Sequence, residues 1–208
     1  MRQFLILRIA GLALLCMACT AAFAQSFSAD LVNTDDGKTK TDGKIYVDDN
    51  HMRMEGQGEQ GRSGIVVMNY TTGVVDVIVP EQHMYMETKI GQGPAQRNLQ
   101  LFRILDVENA CPDWQRIQKE NGETSTCRKV GDETLEGRST VKYVGTSNGK
   151  TSTVWIDKSL KYPIQWQDEN SKGELQNIHE GSQPATLFAI PPGYQKMDLG
   201  NMMRGQHH

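Results

Sequence analysis

The sequence predicts a mainly β, α+β protein: one curved antiparallel sheet of about eleven strands, interrupted midway by one or two helices. Short stretches with apolar residues at every second position recur on both sides of the chain's middle, and two residues is the side-chain period of a strand. Turn residues separate these stretches at close intervals, among them Asn148-Gly149, a pair favoured in two-residue hairpins. Between the two strand-rich halves, residues 95 to 120 lose the alternation.

The chain opens with Arg2 and Arg8, runs through apolar residues 9 to 18 and reaches Ala22-Phe23-Ala24. Charge, apolar core and an Ala-x-Ala site in that order predict a secretory signal over residues 1–24, cleaved after Ala24, and hence a periplasmic or secreted protein. The apolar stretch falls short of the roughly 20 residues that span a bilayer, and no later segment approaches that length. Cys19 offers a competing reading as the lipidated residue of a bacterial lipoprotein, but Cys16 stands where that motif carries an aliphatic residue. Cleavage after Ala24 is therefore the expectation. Of 208 residues, 184 remain, enough for one domain over 25–197 and a polar, disordered tail over 198–208. The segment removed takes two arginines and no acid with it, moving the formal charge from −3 to −5. Such a chain has no electrostatic attraction for nucleic acid or anionic headgroups.

Six strands are predicted first. Residues 27–32 alternate, 33–37 turn, and 44–47 alternate again; 52–55, 65–68, 74–79 and 84–87 follow, with breaks at Asp48-Asp49-Asn50, Thr72-Gly73 and Pro80. The insert over 95–122 holds Leu99, Leu101, Phe102 and Leu105, ambiguous between helix and buried strand. Pro112 and Asp113 then predict a helix over about 112–120. Strands resume at 126–130, 139–144, 152–157, 162–166 and 173–178. Cys16 and Cys19 leave with the signal, and the surviving pair, Cys111 and Cys127, predicts a structural disulfide in an oxidising compartment. A sheet this large curls, and its concave face is apolar.

The residues that enzymes need in recognisable patterns are missing: no His-Glu-x-x-His and no phosphate-cradling loop, and Gly145-Thr146-Ser147-Asn148-Gly149 fits Gly-x-Ser-x-Gly in letters only, since its Asn148-Gly149 is a hairpin turn between two strands rather than a strand-to-helix elbow. Gly56-Gln57-Gly58-Glu59-Gln60-Gly61 mimics a dinucleotide fingerprint but opens no helix, and reads as a hairpin loop. No catalytic residue, cofactor or metal site is assigned. His51-Met52-Arg53-Met54-Glu55 and His83-Met84-Tyr85-Met86-Glu87 repeat one pattern. Copper would suit such ligands. Strand alternation, however, puts the methionines on one face and the histidines on the other, or in the preceding turn. The tail's Met202, Met203, His207 and His208 make a weaker case still. If the methionines point inward, the candidate lining of the concave face is Val47, Met52, Met54, Val67, Val75, Val77, Val79, Met84 and Met86, with Trp155 and Trp166 from the second half. Unbranched, polarizable methionines adapt to ligands of varied shape. A Met-rich core under the insert is the alternative.

Several segments together carry a resemblance: Phe27-Ser28-Ala29-Asp30, Gly43-Lys44-Ile45-Tyr46-Val47, Met52-Arg53-Met54-Glu55, Pro80 to Glu87, Val154-Trp155-Ile156-Asp157 with Tyr162-Pro163-Ile164, and Phe188 to Tyr194. In this order they look like an uncharacterised bacterial periplasmic family that is similar to the outer-membrane lipoprotein carrier (LolA/LolB-like) superfamily. The resemblance implies a half-barrel whose apolar concavity is closed by helices and receives acyl chains without covalent chemistry. It carries over the binding of a lipid or other hydrophobic ligand, not lipoprotein transport, because the first strand here starts almost at the cleavage site with no preceding amphipathic helix. The expectation is a non-enzymatic periplasmic binding protein. The alternative is a packed-core interaction module of the cell envelope, with a protein as its partner.

Overall fold

The structure, a computed structural model, describes residues 25–57, 63–90, 104–120 and 122–197. The predicted signal, the tail at 198–208, most of the Gly56–Gly61 loop and the Leu99, Leu101 and Phe102 positions lie outside them. Six strands come first: β1 (Phe27–Asp35), β2 (Lys38–Val47), β3 (His51–Gln57), β4 (Ser63–Asn69), β5 (Val74–Val79) and β6 (Met84–Lys89). The helix α1 (Cys111–Glu120) follows. β7 (Ser125–Leu135), β8 (Arg138–Ser147), β9 (Lys150–Asp157), β10 (Tyr162–Gln167) and β11 (Ser171–Glu180) come next, and a two-residue β12 (Gln195–Lys196) ends the chain's regular structure.

All twelve strands belong to one open, curved sheet, ordered β12-β6-β5-β4-β3-β2-β1-β11-β10-β9-β8-β7. Two meanders, β1 to β6 and β7 to β11, are joined where β1 pairs antiparallel with β11. Although consecutive in the chain, β6 and β7 stand toward opposite edges of the sheet, linked by the connection that carries α1. Its described end lies on the β7–β9 side, where Val107, Ala110 and Cys111 pack on Val141, Tyr143 and Ile156. Tyr143 secures it: its hydroxyl donates to the Val107 carbonyl at 2.8 Å and accepts from the Ala110 N–H at 3.2 Å.

Curvature follows from one long-range contact. The Tyr162 hydroxyl on β10 lies 3.2 Å from the Met52 sulfur on β3, and Phe27 on β1 meets the Tyr162 ring edge-on at 5.2 Å. Three strands separate β3 from β10, which in a flat sheet would stand about 19 Å apart. The sheet must therefore bend toward the side that carries Met52, which makes that side concave. Gly43 marks a corner of the bend: a Cβ there would lie 1.8 Å from the Glu55 carbonyl oxygen, so only glycine lets β2 and β3 approach so closely.

Three hairpins close through two-residue turns with both central residues at positive φ: Asp36-Gly37, Glu136-Gly137 and Asn148-Gly149. The first of these overturns an expected boundary. Its turn is only two residues long: Asn33 to Asp35, predicted as part of the turn, belong to β1, and β2 begins at Lys38, six residues before the predicted strand. The predicted helix over about 112–120 forms one residue earlier, and Leu105 is 69% exposed. The twelfth strand pairs with β6 in parallel. Among the described residues no helix is long and apolar enough to cross a membrane.

Cys111 and Cys127 form the expected disulfide, with Cα atoms 5.4 Å apart. An isolated ten-residue helix is marginal in water, so this bond and the Val107–Tyr143 contacts hold α1 in place. Replacing both cysteines with serine is expected to cost about 3 kcal/mol. The loss will show as a lower urea midpoint.

Candidate functional site: the concave face

Residues directly opposite one another on paired strands share a face, so the register assigns the concave side. A first row runs Phe27, Val47, Met52, Met68, Val75 across β1 to β5. Two residues along lie Ala29, Ile45, Met54, Val66, Val77 and Met86. A third row begins Leu31, Gly43, Gly56, Gly64, where three consecutive strands present no side chain. Val79 and Met84 pair on the same side.

The rows differ in burial. Phe27, Met52 and Met68 are fully buried and Val75 is 1% exposed, because Leu160, Tyr162 and Ile164 close over them from the far side of the bend. In the next row Met54, Val66, Val77 and Met86 are only half-buried, as are Val79 and Met84. On the far side Trp166 stands opposite Gly173, also half-buried. A Cβ on Gly173 would lie 2.2 Å from the Trp166 ring, so the indole lies flat along the strand. The concavity thus has one plugged end and one apolar end without full cover. Among the predicted lining residues, Val47, Met52 and Val75 belong to the plug, and Met54, Val77, Val79, Met84, Met86 and Trp166 to the uncovered end.

Val67 and Trp155 require correction, because both lie on the convex side. Val67 stands opposite Arg53 and Asp76, and Trp155 opposite Lys142. Each sits within a continuous apolar run, Ile65 to Met68 and Val154 to Ile156, where alternation gives no phase. Packing chose Val66, Met68, Val154 and Ile156 for the inside. Trp155 remains only 6% exposed because its N–H donates to Glu133 at 3.0 Å and Lys142 covers its ring at 4.8 Å. Val67 is covered from outside by a device the sequence reading missed. Residues 181–197 return from β11 across the convex face, the Leu187 carbonyl accepting from Arg53 at 2.8 Å before β12 pairs with β6. The apolar run Phe188-Ala189-Ile190 was the available signal.

The histidines take structural roles. His51 stacks on Phe188 at 5.1 Å, with Nδ1 3.1 Å from Asp48 and Nε2 3.0 Å from the Asn69 amide nitrogen. An Asn69 N–H donating to Nε2 leaves the proton on Nδ1, facing Asp48. His83 follows a 3₁₀ turn over Pro80–Gln82 and packs on Tyr194 at 5.3 Å. Beneath the returning segment lies Asp76, one carboxylate oxygen buried without a hydrogen-bond partner. Burial first, and Glu87 on the next strand second, push its pKa up, with Lys196 opposing. Over β1 to β4 a depression of about 370 Å³ opens to solvent, lined by the three glycines together with Asp30, Lys44 and Glu55. Its lining is charged, unlike the methionine rows.

No protein-family model and no curated protein matches the chain. Among solved structures, PNGF-II aligns over 86% of this chain and 32% of its own at 10% identity, with a TM-score of 0.53. The chain thus spans about a third of that protein, and the likeness is one of fold. The MucA/MucB complex of Pseudomonas aeruginosa aligns at 14% identity over 79% and 55% of the two chains, with a TM-score of 0.38. The Mycobacterium tuberculosis lipoprotein LppX aligns at 14% identity over 75% and 88%, with a TM-score of 0.36.

The half-buried Asp76 carboxylate makes stability depend on pH. Its folded pKa lies above the unfolded value, so its charge opposes folding near neutrality and stability is regained as pH falls through the folded pKa. Asp76→Asn is therefore expected to raise Tm at pH 7 and to bring no gain near pH 3. Thermal melts at the two pH values check it.

Proposed function

We propose that this is an exported, non-enzymatic binding protein that holds a lipid or other hydrophobic ligand at the uncovered end of its concave face. The observation that carries the reading is the contrast between adjacent rows: Met52 and Met68 are sealed, whereas Met54, Val66, Val77 and Met86 keep apolar surface accessible on the same inner wall. Conformationally adaptable methionines suit acyl chains of varied length and bend. A chain burying about ten methylenes there gains on the order of 8 kcal/mol, the scale of micromolar binding before ordering costs are subtracted. The Cys111–Cys127 disulfide supports an oxidising, extracytoplasmic compartment.

Native mass spectrometry of protein purified from a bacterial periplasm tests this. An apolar adduct, released by organic solvent and weakened about tenfold or more by Met54→Glu, is expected. Met52→Leu, inside the plug, should leave it unchanged. Protein that is consistently empty, and that takes up no added fatty acid, overturns the reading in favour of a packed-core module.

A further inference from the structure

β7 ends the sheet at the edge opposite β12. It is eleven residues long, and its outer flank carries a sequence that is its own charge complement: Arg128-Lys129-Val130-Gly131-Asp132-Glu133. In a regular strand a two-fold axis between Val130 and Gly131 would fail, because Lys129 and Asp132 would point to opposite faces. The β-bulge changes this. Lys129 stands opposite Tyr143, the next paired residue is Gly131 opposite Lys142, and Asp132 stands opposite Val141, so Val130 is the extra residue. Lys129 and Asp132 consequently share the concave side, with Tyr143 and Val141. Arg128 and Glu133, opposite Val144 and Thr140, share the convex side.

We infer that β7 pairs antiparallel with β7 of a second copy of this chain, about a two-fold axis at Val130–Gly131, joining two curved sheets edge to edge. Lys129 then faces Asp132 of the second copy on the concave side, and Arg128 faces Glu133 of the second copy on the convex side, each pair occurring twice. Val130, 47% exposed in the single chain, then stands beside the axis, opposite Gly131 of the second copy. The ion pairs within one copy are compatible with this arrangement. Glu108 holds Lys129 and Lys158, and Lys158 reaches Asp132 at 2.7 Å, so the cross-copy pairs extend an existing network. An edge strand protected against promiscuous pairing by charge accepts the one partner whose charges answer it.

Sedimentation equilibrium of the secreted chain from about 1 to 200 μM is the test. A dimer weakened by salt is expected, with Arg128→Glu and Val130→Asp each raising the dissociation constant about tenfold or more at unchanged melting temperature. The swap R128E/E133R should restore dimerisation lost in R128E alone. A monomer throughout the range overturns the inference. So does a dimer indifferent to both single substitutions, or a folded double swap that stays monomeric. Should R128E/E133R fail to fold, Val130→Asp decides alone.

Discussion

The Tyr162 ring reaches across three intervening strands to the Met52 sulfur, with Phe27 against its edge. Burying such side chains is worth about 1.5–3 kcal/mol each, and none could be buried if the sheet lay flat. The bend that joins them also turns the inner residues of β1 to β6 and β8 to β11 toward one another. Burial raises the Tyr162 pKa well above its ordinary value, so the hydroxyl stays neutral and remains a donor to sulfur. The bend closes over Met52 and Met68, while Met54 and Met86, one row along, stay half-buried.

Two connections exploit that shape from opposite sides. The described end of the β6-to-β7 connection places α1 on the concave side, where the disulfide and Tyr143 hold it. The C-terminal return lies on the convex side, where Arg53, His51 and the β6 edge receive it. The sheet thus has partners on both faces, which explains why buried apolar residues such as Val67 and Ile78 occur on a side that alternation alone would leave to water.

Much of the architecture was legible because strand periodicity is local. Met52, Met54, Met84 and Met86 alternate with polar residues, so their common face followed from spacing. Asn148-Gly149 announced its hairpin, whereas Glu136-Gly137 did not, since glutamate seldom opens such a turn. Val67 and Trp155 were misplaced because unbroken apolar runs carry no phase, and only tertiary packing supplies it. The division of the concave face into a plug and an accessible end was not legible at all. It depends on Tyr162 and Leu160 arriving from more than a hundred residues away. The bulge at Val130 was equally hidden, being a property of register rather than of composition.

One inner wall holds two kinds of methionine, sealed and accessible. Methyl NMR of the protein labelled with [13C]methyl-methionine, titrated with a long-chain fatty acid, reads each kind separately. Saturable shifts are expected at Met54, Met84 and Met86, with Met52 and Met68 unmoved. Uniform shifts across all five, or none at any fatty acid concentration below micelle formation, would contradict that division.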